Sequence, residues 1–284
     1  MFARAWGDGV ATGVGVGPGR PGRGTERSIA DIAITAYFFA MRSCEITNTP
    51  RLGRTKILRL KGVTFRNDKG DDLGMSNCNV IELATRVTVT FEDQKNGLKM
   101  DRRTHQRTGD PVMCPVRSLT SLVRRILETV TGFNDDTQIN TVEEQGRVTH
   151  ITGEQLRRSM RETCKERGGK EAFGYNADEI GTRSLRSGAA MGLFLMNHSV
   201  AKIMMLGRWS SDAFLVYIRP QVMEWTNQMS GDMIVHDSFF DAGEKHNSKT
   251  GGRQGSGSER TRGGTSTIIL RNDEERTDTM HLHH

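Results

Sequence analysis

Residues 180–220 read IGTRSLRSGAAMGLFLMNHSVAKIMMLGRWSSDAFLVYIRP, with two arginines, Arg183 and Arg186, at the start of an apolar-periodic run. Leu185, Ala189, Gly192, Phe194 and Leu195 give that run a broad apolar face, which predicts a helix packed on a core. Asn197-His198-Ser199 predicts a tight polar turn. Ser199 then caps a short helix through Leu206, and Gly207 suits the left-handed position after it. Ser210 or Ser211, followed by Asp212, starts a third helix carrying Phe214, Val216, Tyr217 and Ile218. Two guanidinium groups and a phenol are thereby expected on successive packed helices rather than on loops.

Upstream, residues 28–46 (SIADIAITAYFFAMRSCEI) open with a capping serine and are apolar on nearly every face, as in a buried helix. Arg42 and Glu45 sit three residues apart in it and would share one face. Residues 56–60 and 86–91 alternate polar and apolar side chains, which predicts two strands with one wet face each. Asn96-Gly97 is a strong hairpin signal and puts Lys95 at its tip, with Lys99 as the neighbouring alternative. From Lys95 to Arg125 there are eight Lys or Arg against two acidic residues, an excess suited to a phosphate backbone. Pro115 starts a helix through Val130 whose apolar stripe is Leu119, Leu122, Val123 and Ile126, and Arg117, Arg124 and Arg125 are expected on its solvated face. A further helix runs from Gly153 to Arg167, ended by Gly168-Gly169.

The chain has 284 residues, 26% charged and 35% hydrophobic, with a net charge of +6 that favours an anionic partner. No apolar run is long enough to cross a bilayer and no signal-peptide core is present, so an intracellular setting and no membrane partner are expected. Cys44, Cys78, Cys114 and Cys164 are widely spaced and share no CxxC pattern, which supports neither a disulfide framework nor a zinc site. Residues 1–24 hold eight glycines and two prolines. GVGVGPG within them lacks the Lys-Ser/Thr ending and the preceding strand of a phosphate-binding loop. The expected organisation is a disordered leader at 1–27, a catalytic domain at 28–240 and a disordered tail at 241–284.

LRSG, followed about twenty residues later by LGRWSSDAFLVYI, resembles the C-terminal signature of tyrosine recombinases, especially the eukaryotic transposon-borne branch, and AMRSCEI resembles the first motif of the same family. The resemblance spans 28–223. It implies an α+β, mainly helical catalytic domain with a small antiparallel sheet, no cofactor, double-stranded DNA and further protomers as partners, and a nuclear location. It also implies roles. Arg42 and Arg186 clamp the scissile phosphate, Glu45 orients Arg42 from behind, Lys95 on the hairpin protonates the leaving oxygen, Trp209 donates its indole N–H, and Tyr217 is the nucleophile. Tyr37, upstream of Arg42 in a buried helix, and Tyr175, in a glycine-flanked loop, are the competing phenols.

Two positions depart from the family pattern. Arg183 stands where histidine is usual, and arginine donates hydrogen bonds but cannot act as a base. After LG, where histidine or tryptophan is usual, LGRW offers Arg208 and then Trp209, of which Trp209 is preferred for its indole N–H. The leader is also too short for the DNA-clamping domain that precedes the catalytic one in this family, so a truncated gene or transposon fragment is expected. The alternatives are a catalytically inactive DNA-binding relic and a basic structural protein in which Arg42, Arg186 and Tyr217 lie apart.

Overall fold

The computed structural model describes residues 23–48, 55–75, 77–94 and 97–210. It is an α+β fold whose first helix, α1 (Arg23–Phe38), packs against most of the other helices. Ile29, Ile32, Ala33, Ile34 and Ala36 are all buried, so α1 has almost no wet face. Helix α4 (Pro115–Thr129) lies along it and contributes Val116, Leu119, Leu122, Val123 and Ile126 to the same core. Helices α5 (Gly153–Glu166) and α7 (Arg183–Leu195) also pack on α1. Truncating a fully buried aromatic of this core, such as Phe65, is worth about 3–5 kcal/mol.

Strands β1 (Val63–Arg66), β2 (Arg86–Asp93) and β3 (Lys99–Gln106) form an antiparallel sheet in that order, with Val63 opposite Val89 and Asp93 opposite Lys99. Val87, Val89 and Phe91 face the core. The β2–β3 connection is closed by Gln94 N–H on Leu98 carbonyl at 3.1 Å and Gly97 N–H on Gln94 carbonyl at 2.9 Å, with Gly97 at φ +80°. A second hairpin, β4 (Thr141–Glu144) and β5 (Arg147–His150), turns on Gln145 and Gly146, both at positive φ. Short helices α2 (Ser43–Ile46), α3 (Cys78–Ile81) and α6 (Gly169–Phe173) fill connections, and α8 (Val200–Gly207) follows α7.

Several expectations from the sequence change. The helix expected over 28–46 starts earlier, at Arg23, and stops at Phe38. Ser28 is therefore inside α1, its hydroxyl donating to the Gly24 carbonyl at 3.0 Å, and residues 23–27 belong to the helix rather than to a leader. Arg42 and Glu45 do not share the face of one long helix. Arg42 instead precedes α2, its backbone N–H donating to the Glu45 carboxylate at 2.7 Å.

Residues 56–60 make no strand, because their backbone groups are spent on separate segments: Leu58 N–H on Glu45 carbonyl, Ile139 N–H on Leu58 carbonyl, and Leu60 N–H on Thr137 carbonyl. Arg125 is not on a solvated face. It reaches into the α1–α4 seam, donating to Ser28 at 2.6 Å and Asp31 at 3.1 Å. Burial pushes the Asp31 carboxyl up to about 6 even though Arg125 beside it favours the charged form. The helix expected around Tyr217, the domain boundary near 240 and residues 1–22 lie outside the described residues.

Candidate active site

Two helix ends build the site. After α1, Met41 N–H bonds back to the Ala36 carbonyl at 2.8 Å and Ala40 N–H to the Tyr37 carbonyl at 3.1 Å, with Ala40 left-handed at φ +44°. After α8, Trp209 N–H bonds to the Met204 carbonyl at 3.0 Å and Arg208 N–H to the Met205 carbonyl at 3.4 Å, with Arg208 left-handed at φ +58°. Both are six-residue C-terminal closures of the kind that usually place glycine at the left-handed position. Here alanine and arginine occupy it, at a cost of about 1–2 kcal/mol each.

The left-handed position after α8 was expected at Gly207, and the structure moves it one residue on. Gly207 is needed for space instead. A Cβ there would lie 1.6 Å from Cζ3 of Trp209, so the indole rests on the glycine backbone.

The two ends meet through arginine. Arg186, one turn into α7 and only 5% exposed, donates to the Ala40 carbonyl at 2.5 Å and to the Gly207 carbonyl at 2.5 Å. Its guanidinium carbon lies 4.3 Å from the centroid of the Trp209 ring, a cation–π contact. Arg208 is fully enclosed. It donates to the Phe39 carbonyl at 2.8 Å, the Ala40 carbonyl at 3.4 Å, Gln94 Oε1 at 3.0 Å and Glu45 Oε2 at 2.6 Å, and stacks 3.7 Å over Phe91.

Glu45, 1% exposed, is the carboxylate at the centre of this group, shared between Arg208 and Arg42, whose Nη1 reaches Oε1 at 2.9 Å. Three guanidinium groups against one carboxylate leave the cluster strongly positive. Burial lowers the Arg208 pKa, opposed by the Glu45 charge, but a guanidinium stays protonated at any ordinary pH. Arg42 keeps 23% of its side chain exposed and gives the cluster an outlet to solvent.

The β2–β3 hairpin is tied to the same cluster. Gln94, wholly buried, accepts from Arg208 and donates to Asp101 at 3.2 Å. Asp101 holds Arg103 at 2.5 Å, and Arg103 Nε donates to the Met205 carbonyl of α8 at 2.9 Å. The turn end of the hairpin is thus locked to the C-terminal end of α8.

Of the residues singled out in the sequence, Arg42, Glu45, Arg186 and Trp209 come together in one network. Arg183, on the first turn of α7, is exposed and makes no hydrogen bond or ion pair among the described residues. Lys95 follows the anchored Gln94 directly, but Lys95 and Tyr217 both lie outside the described residues. Lys99 is exposed at the start of β3.

Tyr37 packs against α7, where a side chain at Gly192 would begin 2.9 Å from its hydroxyl, and burial pushes its phenol pKa up. Tyr175 stacks on Phe173. Sequence reasoning sets Arg208 aside in favour of Trp209 and misses Gln94. An arginine ending the apolar helix VAKIMMLG was the available signal for the first. A glutamine among strand-end acids gave none for the second.

Among the described residues there is no group of three or more His, Cys, Asp or Glu placed to hold a metal ion, and no helix is long and apolar enough to cross a membrane. Neither a scan against protein-family models nor a search of curated proteins finds a match to this chain. Chemically, the cluster is a preorganised cationic site. Its buried charges are held rigidly, with one guanidinium and an indole edge near the surface, which suits a phosphodiester better than a neutral ligand.

Proposed function

We propose that this chain is a DNA breaking-rejoining recombinase of the tyrosine type, acting through a 3′-phosphotyrosyl intermediate. The observation that carries the reading is that Arg42 and Arg186, far apart in the chain, belong to one network around the Glu45 carboxylate and the Ala40 carbonyl. Enclosing Arg186 and Arg208 carries a desolvation cost that a merely solvating basic surface does not incur. A site that must balance charge growing on nonbridging phosphate oxygens does.

In this reading Arg42 and Trp209 touch the phosphate from the solvent side. Arg186 and Arg208 add positive potential from behind, where the low local dielectric makes them effective. The Tyr217 oxygen attacks phosphorus in line and loses its proton to solvent water, since Arg183 cannot take it, the bond from phosphorus to the 5′ oxygen breaks, and Lys95 gives a proton to the departing 5′ oxygen. Religation is the reverse, with a 5′-hydroxyl displacing the tyrosine. Glu45 and Gln94 hold the arginines and the hairpin that carries Lys95. Double-stranded DNA and further protomers are the partners, and the nucleus is the compartment.

Arg183 favours a second reading, an inactive DNA-binding relic, since the exposed guanidinium at that position cannot take the phenol proton. A nicked suicide duplex separates the two. The enzyme is expected to form a protease-sensitive covalent adduct that Tyr217→Phe abolishes. Salt-sensitive duplex binding with no adduct from the wild-type chain would establish the relic, and the absence of both would end the DNA reading.

A further inference from the structure

A cavity of about 340 Å³ opens between α4 and the C-terminal end of β3, lined by Glu82, Arg107, Arg117, Thr120, Ser121 and Arg124. Four of these, Arg117, Thr120, Ser121 and Arg124, follow i, i+3, i+4, i+7 spacing, so one face of α4 forms a wall of the cavity. At the opposite wall Arg107 is pinned by two backbone carbonyls, Nε on Ala84 at 3.0 Å and Nη2 on Glu82 at 2.8 Å. Arg124 is bonded to the Glu82 carboxylate and lies 3.6 Å from Glu128. The Arg117 side chain is exposed and makes no hydrogen bond or ion pair among the described residues. Three guanidinium groups thus face one lining carboxylate.

What asks for a ligand is the balance of charge. Arg107, Arg117 and Arg124 line the cavity against Glu82 alone, and Arg117 has no ion pair among the described residues to neutralise it. The arrangement also lies away from the arginine cluster around Glu45. Arg107 stands six residues along the chain from Asp101, which is tied to that cluster through Gln94, roughly 20 Å at the usual strand rise.

We propose that this cavity is an oxyanion site for a phosphate group, with Arg107, Arg117 and Arg124 supplying charge and hydrogen-bond donors. Arg107 is preorganised by its carbonyl partners, Arg124 by Glu82, and Arg117 closes over the ligand from the solvent side. Two sources share this chemistry, a free phosphate compound and a backbone phosphate of bound DNA. The site does not depend on Tyr217 chemistry, and Tyr217→Phe leaves it unchanged.

The test titrates the full chain with sodium phosphate against sodium chloride at matched ionic strength, reading melting temperature and heat of binding. Wild type is expected to bind phosphate saturably, and Arg117→Ala and Arg124→Ala each to weaken it at least tenfold. Circular dichroism and the melting temperature in chloride verify that both variants are folded, Arg117 and Arg124 being exposed residues. A parallel measurement follows duplex binding against salt. If the slope of log affinity against log salt becomes shallower by about 0.9 in Arg117→Ala, the phosphate belongs to DNA; an unchanged slope with lost phosphate binding assigns a free compound. A wild-type chain that gains no more from phosphate than from chloride, or two folded variants that bind phosphate as wild type does, overturns the proposal.

Discussion

Replacing Arg208 by methionine keeps much of the side-chain length but takes the positive charge away from a carboxylate with 1% exposure. Four hydrogen bonds go with it: those to Glu45, Gln94 and the carbonyls of Phe39 and Ala40. Glu45 is left with Arg42 alone, and the Gln94 oxygen loses the donor that ties the hairpin to α8. Breaking one side of a buried, hydrogen-bonded pair costs about 3–5 kcal/mol, a large part of the roughly 5–15 kcal/mol that holds a domain together.

Arg42→Met is the contrast. It removes the other partner of the same carboxylate, but from a side chain 23% exposed, and its cost is expected nearer 1 kcal/mol. Urea unfolding of the full chain, followed by far-UV circular dichroism, measures both. The double variant of Arg208→Met with Glu45→Gln is expected to recover about 1–3 kcal/mol relative to the sum of the single changes. If Arg208→Met costs less than Arg42→Met, or if the double cycle is additive, the buried pair does not organise this site.

Three further outcomes follow from the geometry. Gly207→Ala would ordinarily gain about 1 kcal/mol at a helical position, but its Cβ would fall 1.6 Å from the Trp209 ring, so a loss of about 1–3 kcal/mol with altered tryptophan emission is expected; a stabilised variant with unchanged emission would contradict the packing. Ala40→Gly relieves a left-handed alanine at φ +44° and is expected to raise stability by about 1 kcal/mol without disturbing the carbonyl that Arg186 and Arg208 share, and an unfolding midpoint no higher than wild type would count against it.

For Asp31 the folded pKa, about 6, lies above its ordinary 3.8, so proton uptake favours the fold: the contribution is complete below 3.8 and is lost as pH rises through 6. Asp31→Asn should flatten the dependence of melting temperature on pH between about 4 and 7, by up to about 3 kcal/mol at 1.36 kcal/mol per unit, and a profile that matches wild type would exclude Asp31 as its source.

Much of the helical frame was legible because amphipathic spacing is a local property. Pro115 and the stripe from Leu119 to Ile126 mark α4, Gly168-Gly169 marks the end of α5, and Asn96-Gly97 marks the β2–β3 turn. The break at Ala40 was not legible, since FFAM contains no glycine or proline and the turn is held by arginines from the other end of the chain. Residues 56–60 failed as a strand for the same reason. Their alternation is real, with Leu58 and Leu60 buried, but only Lys56 N–H reaches a strand, at the Asp93 carbonyl of β2, and the bonds of Leu58 and Leu60 go to separate segments. In the site, Arg42, Glu45, Arg186 and Trp209 could be named from spacing and resemblance. Arg208 is passed over there for the indole N–H of Trp209, because nothing in the sequence tells that Glu45 lies against it. The β4–β5 hairpin was overlooked although Gln145-Gly146 sits between two short alternating runs.

The oxygen of Ala40 accepts from arginines that lie 146 and 168 residues further along the chain. A ribosome delivers that oxygen, and Glu45 beside it, long before it delivers either guanidinium. Until position 208 has left the exit tunnel, the nascent polypeptide holds an acidic group that only Arg42 can offset, and the tail of α1 has at most Arg186 to fasten it. Assembly of the cationic centre is therefore postponed until α8 and the residue after it have been made. Products that terminate before position 208 never acquire it.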